Sequence, residues 1–191
     1  SEKTEAQRGA VSFQVFYDQL NPYGQWVNFP EEGYVWIPTV EQGFSPYSTN
    51  GYWTYTDYGW TWVSDYRWGW APFHYGRWDF DTDYGWYWVP GYDWAPAWVA
   101  WSRAPGYYGW APLRPGIEVN SAITGGYYVP PEHWHYVHAE YLGHRDMDRH
   151  YAPESENATH ISNATMNNHT HMDNARHTTL IVRPPHDAVP T

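Results

Sequence analysis

Short runs of alternating aromatic and polar residues fill the chain between residues 24 and 112. In residues 60–63, Trp-Thr-Trp-Val, the two Trp side chains share one face of an extended strand, and residues 86–89, Trp-Tyr-Trp-Val, repeat the arrangement. Each run follows an Asp-Tyr-Gly turn whose glycine, Gly59 or Gly85, supplies the positive φ that a tight hairpin turn needs. The pattern therefore predicts antiparallel β-hairpins.

The hairpin pattern recurs along the chain. One Trp per unit returns at spacings of 27, 25 and 23 residues, at Trp26, Trp53, Trp78 and Trp101. One glycine per unit returns at spacings of 26, 26 and 24 residues, at Gly33, Gly59, Gly85 and Gly109. Three to four such repeats predict an all-β fold, an antiparallel meander of about eight short strands that curls into an open barrel or stays a twisted ribbon.

Changes in composition divide the chain into four segments. We predict a leader at 1–15, a Trp-rich repeat β domain at 16–115, a linker with a short helix or strand at 116–150, and an extended arm rich in Asn, Thr and His at 151–191. Residues 12–20 space their apolar side chains as a short strand or one to two helical turns would. The arm has too few apolar side chains for a core of its own, so we expect it to be ordered only along another surface.

Composition and charge narrow the function. Aromatic residues make up 21% of the chain, so we expect a core built of rings. A net charge of −11 opposes binding to a phosphate backbone, which argues against a nucleic-acid partner. No apolar run approaches the ~20 residues of a membrane span, so the chain is not expected to cross a membrane itself. Because cysteine is absent, the chain has no disulfide and no thiolate site.

Four longer motifs resemble a known family. They are FYDQLNPYGQW at 16–26, YGWTWVS at 58–64, WGWAPFHYGRW at 68–78 and WAPAWVAW at 94–101. Together they are similar to a bacterial Trp-rich repeat family of exported proteins of unknown function, with the signatures FYDxLxPYGxW and WGWAPYHYGRW. The resemblance covers about residues 16–115 and implies a bacterial origin, an envelope location and no inherited catalytic residue. The chain departs from the family pattern at 44–47, where Phe-Ser-Pro-Tyr replaces the usual Trp.

The aromatic rows supply the candidate binding residues. There are more rings than one core needs, so part of a second sheet face is expected to be exposed or covered by another protein. The alternative is that both faces pack. Exposed Trp and Tyr rings stack well on sugars and also form protein interfaces. The candidate aromatic surface consists of Trp53, Trp78, Trp94, Trp98, Trp101 and Tyr75.

Metal-binding and catalytic patterns are weak in this sequence. The alternating pair His169 and His171 is the best metal candidate, but no cysteine and no carboxylate at fixed spacing accompanies it, so no metal is predicted. His74 lies in a family motif without a nucleophile or carboxylate placed beside it. We therefore predict no catalytic residue, no cofactor and no enzymatic activity.

These observations favour a non-catalytic exported protein of the bacterial periplasm or cell surface. We expect it to act as a scaffold or interaction subunit whose partner is another envelope or outer-membrane protein, or a complex of such proteins. A homo-oligomer is left open. The alternative is a glycan- or peptidoglycan-binding module that uses exposed Trp and Tyr. Two or three coplanar exposed rings would favour the glycan, and a broad apolar patch or an ordered arm would favour the protein partner.

Overall fold

Eight strands of the computed structural model form four antiparallel hairpins, and the predicted all-β fold is confirmed. The structure describes residues 11–119, 128–166, 170–173 and 178–181. The hairpins are β1 (Gly24–Phe29) with β2 (Gly33–Pro38), β3 (Gly51–Thr56) with β4 (Gly59–Ser64), β5 (Arg77–Asp81) with β6 (Gly85–Val89), and β7 (Val99–Ala104) with β8 (Tyr107–Pro112). Gly59 and Gly85 adopt φ values of 90° and 79°, as predicted for the hairpin turns.

A short helix, α1 (Phe13–Leu20), precedes the first hairpin. Ser12 caps it, because its hydroxyl accepts a hydrogen bond from the Val15 N–H at 3.3 Å. The helix buries Phe16 and Leu20, and the Phe16 ring lies 5.1 Å from the ring of Trp88. The sequence allowed either a short strand or one to two helical turns here, and the structure has the helix.

The order of the hairpins differs from the predicted meander. The first and third hairpins share one sheet in the order β1-β2-β6-β5, while the second hairpin forms a two-stranded sheet of its own. The link between the first and third hairpins is the pairing of Trp36 with Trp88. The long connections at 39–50 and 65–76 allow the second hairpin to leave the sequence order. Separate sheets thus replace the single curled barrel or ribbon.

Two groups of Trp rings fill the core. In the first sheet, Trp26, Trp36, Trp88 and Trp78 stand directly opposite one another and form a row across all four strands. Elsewhere the second and fourth hairpins face each other, with the Trp53 ring 4.7 Å from that of Trp101 and 5.6 Å from that of Trp110. The predicted ring-built core is therefore observed, and the buried rings of both groups belong to one cluster.

A Trp–Gly contact recurs in the first three hairpins. The Trp of the returning strand lies over the glycine that precedes or begins the outgoing strand, so that a Cβ there would be within 3 Å of the indole. The pairs are Gly24 with Trp36 (2.8 Å), Gly51 with Trp62 (2.6 Å) and Gly76 with Trp88 (2.7 Å). The absence of a Cβ lets each indole close over the backbone.

The C-terminal part of the chain extends the fourth hairpin. The further elements are β9 (His135–His138) paired with β8, β10 (Thr165–Met166) paired with β7, helix α2 (Asn157–Ser162), and the hairpin of β11 (Thr170–Asp173) with β12 (Thr178–Ile181). Asn157 is 2% exposed and its Nδ2 donates to the carbonyls of Pro131 and Trp134, each at 2.9 Å. These contacts hold α2 against the loop before β9.

The boundaries predicted for the leader, linker and arm stay predictions. Residues 1–10 of the predicted leader lie outside the described residues. Within the predicted arm, residues 157–162 form the helix α2 and are not extended, whereas Thr165 and Met166 make a two-residue ladder with Ser102 and Arg103 of β7. This ladder is the type of backbone contact expected of an extended segment.

Candidate binding groove

The six rings predicted as a binding surface are buried. Their exposed fractions run from 0% for Trp53 to 7% for Trp98, with Tyr75, Trp78, Trp101 and Trp94 between them. The expectation that these rings form an exposed surface is therefore wrong. The physical reason is that separate sheets pack against one another, so that rings on more than one sheet face find partners. The alternative that both faces pack describes these residues better.

A concave site lies beside the second hairpin. It is an open groove of about 330 Å³ between β4, the connection to β5 and the segment before β7. Its lining combines aromatic rings with polar side chains, namely Thr61, Trp62, Val63, Ser64, Tyr66, Arg67, Gly69, Trp70, His74, Tyr75 and Trp94.

One wall of this groove is the edge of β4. The lining includes four consecutive residues, 61–64, whereas side chains of a strand point alternately to opposite faces. A wall formed along the strand edge, which carries backbone N–H and C=O groups, accounts for this lining. On this edge the Trp62 N–H donates to the Pro96 carbonyl at 3.1 Å. Because backbone groups two residues apart point to the same side, the N–H and C=O of Ser64 face this side as well.

The rings of the groove are held in place by neighbouring rings. Trp70 stacks on Phe16 at 6.2 Å, and Tyr66 stacks on Trp68 at 4.4 Å with an interplanar angle of 16°. Trp94 lies parallel to the His74 imidazole, with 5.4 Å between centroids and 15° between planes. These ring contacts hold the groove walls in place. Trp94, which is 6% exposed, also contacts the Tyr58 ring at 5.0 Å and offers little open face.

The polar groups of the groove have defined states. The His74 Nδ1 lies 2.9 Å from the Ala95 carbonyl, which can only accept, so Nδ1 is assigned the proton. The Tyr66 hydroxyl donates to Glu41 at 2.7 Å. Burial and then the Glu41 carboxylate raise the pKa of Tyr66 above its ordinary value, so this hydroxyl stays protonated. Arg67 is exposed at the rim and is the formally charged residue of the lining.

A second groove, of about 380 Å³, lies beside Arg77 and Trp98. Its arginine already serves the fold, because Arg77 Nη1 donates to the carbonyls of Arg114 at 3.2 Å and Ile117 at 2.6 Å. The guanidinium also lies over the Trp98 ring, 4.6 Å from its centroid. This groove therefore offers less binding chemistry than the one beside β4.

A family model matches residues 17–117, which is more than half of the chain and includes all four hairpins. The chain belongs to the DUF6600 family. The model describes a family of unknown function, and its match nearly coincides with the range of the resemblance noted above. No curated protein and no solved structure matches the chain significantly.

The groove beside β4 lies wholly within the DUF6600 match, because its lining runs from Thr61 to Trp94. Two of the predicted rings, Tyr75 and Trp94, lie in its lining, but sequence reasoning did not predict the groove itself. The aromatic residues around the groove can be read from the sequence. The groove itself depends on the hydrogen bond between Trp62 and Pro96, which joins positions far apart in the repeat.

A partly buried Ser–His contact was also missed by sequence reasoning. Ser45 Oγ lies 2.9 Å from His135 Nε2, and burial lowers the pKa of His135 to about 4. The imidazole is therefore neutral at pH 7. Its ring neighbours include Trp110 and Tyr151, and no carboxylate of the described residues lies beside it as a triad would require. His135 lies outside the DUF6600 match, and the contact ties the connection before β3 to β9.

The structure describes only one of the two weak metal candidates. His169 lies outside the described residues, and His171 lies in β11, where only the backbone is described. In the described part of the chain, no three His, Asp or Glu side chains come close enough together to hold a metal ion. Across the same ranges no helix has the length and apolar character needed to cross a bilayer.

Proposed function

We propose that this DUF6600 protein is a non-catalytic, exported envelope protein of a bacterium, and that it acts as a scaffold or interaction subunit. Its partner in this proposal is another envelope or outer-membrane protein, bound in the groove beside β4. The four hairpins provide the rigid body and the groove provides the contact. The observation that carries the proposal is the lining of the groove, in which aromatic rings lie beside polar side chains and the exposed Arg67.

Burial of the predicted aromatic surface supports this choice of site. Rings such as Trp53 and Trp78 are used in the core and are not available to a partner. Ring faces, an arginine and a strand edge meet in the groove, a combination typical of surfaces that recognise protein segments.

Site-specific crosslinking in the native envelope tests the proposal. A photoreactive phenylalanine analogue replaces Val63 in the groove, and the matched control carries it at Tyr128, which is 70% exposed and lies outside the groove lining. We expect a discrete crosslinked protein from position 63 that is absent from position 128. Equal crosslinking from both positions, or none from position 63, contradicts the proposal. Cell fractionation of the same cultures tests the envelope location.

A glycan or peptidoglycan fragment is the second candidate, because Tyr66, Trp70 and Arg67 line the same groove. Aromatic faces beside a charged donor are the usual elements of a sugar site. However, each of these rings already gives one face to a neighbour, which leaves less area for stacking. Calorimetry with soluble peptidoglycan fragments tests this candidate. Saturable heat that disappears in Trp70→Ala favours the glycan, and its absence removes it.

A further inference from the structure

We infer that two copies of this chain pair through the outer edge of β1, strand against antiparallel strand, about a two-fold axis that passes beside Trp26. The partner at this edge is therefore a second copy of the chain. The edge is separate from the groove beside β4, so the inference goes beyond the proposed function and does not depend on it.

β1 is an outer strand of the first sheet and lacks the usual protection of a sheet edge. None of its six residues is buried, whereas β2, β5 and β6 each bury at least one. Its ladder with β2 runs without a bulge from Gly24 to Phe29, and no other strand of the described chain pairs with it. The other outer strand, β5, carries Arg77, Asp79 and Asp81, and charged residues of this kind keep sheet edges apart. β1 carries neither a charged residue nor a proline.

The hydrogen-bond pattern shows which backbone groups of β1 point outward. The Thr39 N–H donates to the Tyr23 carbonyl at 2.9 Å, and these two residues continue the register of the β1–β2 ladder as a hydrogen-bonded pair. Because such pairs alternate along a ladder, Gly24, Trp26 and Asn28 turn their N–H and C=O groups away from β2. No hydrogen bond to these outward groups comes from the described part of the chain.

The outward groups of one copy match those of a second copy. When two β1 strands run antiparallel with Trp26 opposite Trp26, Gly24 of each copy stands opposite Asn28 of the other. Every outward-facing residue then meets an outward-facing residue, and the three resulting pairs exchange two hydrogen bonds each. This register therefore satisfies all the outward N–H and C=O groups of β1 at once.

Other arrangements of the same two strands are less favourable. Shifting the axis to Val27 or Gln25 puts Pro30 or Pro22 opposite an outward-facing residue, and proline has no N–H to donate. Parallel pairing would bring the acidic turns at 31–32 of both copies together. In the antiparallel pair these turns lie roughly 30 Å apart, at about 3.3 Å per residue, which is well beyond the ~10 Å screening length at 0.1 M salt.

The pairing also continues the row of indoles across the first sheet. Trp26 ends this row and is half-buried, whereas Trp36 and Trp88 are 0% exposed. In the dimer the two four-stranded sheets would join, and the two Trp26 rings would stand side by side on the same face. Tyr17, which is 39% exposed, stacks on Trp26 at 5.7 Å and adds apolar surface beside this position. Cross-strand aromatic pairs of this kind stabilise sheets.

Sedimentation velocity of the full chain tests whether the dimer forms. A seam of one strand pair is a small interface, so we expect a reversible dimer whose fraction grows with protein concentration. Each copy carries a formal charge of −11, so added salt should screen the repulsion between copies and increase the dimer fraction. A protein that stays monomeric at every concentration and salt level overturns the inference.

Disulfide trapping tests the register, because the chain has no cysteine of its own. Gln25 of one copy would stand opposite Val27 of the other, with Cα atoms about 4.5 Å apart, a distance that a disulfide spans. A mixture of Gln25→Cys and Val27→Cys should therefore give the mixed disulfide, which intact mass distinguishes from the two homodisulfides. The matched control is Phe80→Cys on the charged edge of β5, where the side chain is 47% exposed. Homodisulfides in excess of the mixed one, or no more crosslinking than in the control, reject the pairing.

Proline and alanine at position 28 test the edge itself. The Asn28 N–H points away from β2, so Asn28→Pro removes one dimer hydrogen bond at each end of the seam and leaves the hydrogen bonds of the β1–β2 ladder in place. The dissociation constant should rise about a hundredfold, at about tenfold for each hydrogen bond. Asn28→Ala keeps the N–H and should dimerise as the wild type does. Circular dichroism checks the fold of each variant, and the disulfide test decides the matter even if Asn28→Pro does not fold.

Two further outcomes identify a different occupant or surface, and each overturns the inference. Slow hydrogen exchange at Trp26 and Asn28 in a protein that sediments as a monomer would show that a segment of the same chain covers the edge. A dimer that persists in folded Asn28→Pro would show that the copies meet elsewhere. A foreign protein crosslinked at position 63 bears only on the groove, so the proposed function and this inference fail independently.

Discussion

The second and third hairpins are close relatives in sequence, but their tryptophans are held differently. Trp62 and Trp88 occupy the same place in successive repeats and both are 0% exposed. The Trp88 indole N–H donates to the Tyr75 carbonyl at 2.7 Å, and that of Trp78 donates to the Pro72 carbonyl at 2.8 Å. In the second hairpin the indole N–H groups of Trp53, Trp60 and Trp62 have no hydrogen-bond partner among the described residues.

The connections before the two hairpins explain the difference. Residues 65–76 fold back over the third hairpin and present their carbonyls to its indoles. Residues 39–50, before the second hairpin, turn toward the fourth instead, and the Tyr47 carbonyl accepts the Trp110 indole N–H at 2.7 Å. The second hairpin is therefore positioned mainly by ring contacts, and the third by ring contacts together with directional hydrogen bonds. The two hairpins have similar sequences but different hydrogen bonds, because the acceptor carbonyls belong to the connections and not to the hairpins.

The largest losses of stability are expected from Trp88→Ala and Trp62→Ala, and the two losses should differ. Each removes a buried indole and should lower the free energy of unfolding by about 3–5 kcal/mol. Trp88→Ala should cost about 1–3 kcal/mol more, because it also leaves the buried Tyr75 carbonyl without its donor. Chemical denaturation of both variants measures this. Equal losses would show that the hydrogen bond does not distinguish the hairpins, and an unchanged double mutant would contradict the core assignment of both residues.

Alanine at the glycines beneath these indoles should give the next largest effect. A Cβ at Gly51 would lie 2.6 Å from both the Trp62 ring and the Val63 carbonyl. One at Gly76 would clash with the Val89 carbonyl and lie 2.7 Å from Trp88 Nε1. Overpacking of this kind costs about 1–3 kcal/mol. Gly76 also has φ of 69°, which adds about 1–2 kcal/mol for a residue with a Cβ. Gly76→Ala should therefore melt below Gly51→Ala. The control is Gly33→Ala, where no atom lies within 4 Å of the added Cβ but φ is 77°.

Lowering the pH should destabilise the protein at the contact between His135 and the connection before the second hairpin. Burial lowers the pKa of His135 from 6.5 to about 4, and this imidazole contacts Ser45 in that connection. Between these pH values the unfolded chain binds more protons than the folded one, so stability present above pH 6.5 is lost as the pH falls toward 4. The loss from this group should be on the order of 3 kcal/mol. Urea titrations at a series of pH values measure it, and His135→Gln should flatten the profile. A profile that keeps its slope in His135→Gln assigns the effect to other groups.

The smallest effect is expected from Trp→Phe exchanges, which keep a ring and remove only the indole N–H and part of the volume. Trp88→Phe should lose about 1 kcal/mol more than Trp62→Phe, because of these two indoles that of Trp88 donates a hydrogen bond and that of Trp62 has no partner among the described residues. Thermal melts of the two variants, measured together with wild type, compare them. A larger loss at Trp62 would indicate that ring volume outweighs the hydrogen bond.

Local features were predictable from the sequence and long-range ones were not. The turns at Gly59 and Gly85 follow from neighbouring residues, and so do the paired strands around them. The pairing of Trp36 with Trp88 does not, because any hairpin edge with the same alternation is an equally good partner. Similarly, alternation shows which rings share a face but not what covers that face, so Trp53 was placed on the surface and is buried.

The groove was hidden for the same reason. Its wall and its rim come from neighbouring parts of the chain, at Ser64 and Arg67, but Trp94 reaches it only because the segment before β7 returns to the β4 edge. The contact of Ser45 with His135 spans 90 residues and has no periodic signal. Such contacts depend on tertiary packing, which a repeat pattern does not encode.

The close packing of the indoles also has an optical consequence. The Trp53 ring lies 5.2 Å from Trp62 and 4.7 Å from Trp101, and Trp101 lies 5.9 Å from Trp110. At such separations excited states of neighbouring chromophores couple and exchange energy faster than they emit. The near-ultraviolet absorption and emission of this protein are therefore properties of the coupled indoles, and a change at one indole alters the signal of its neighbours.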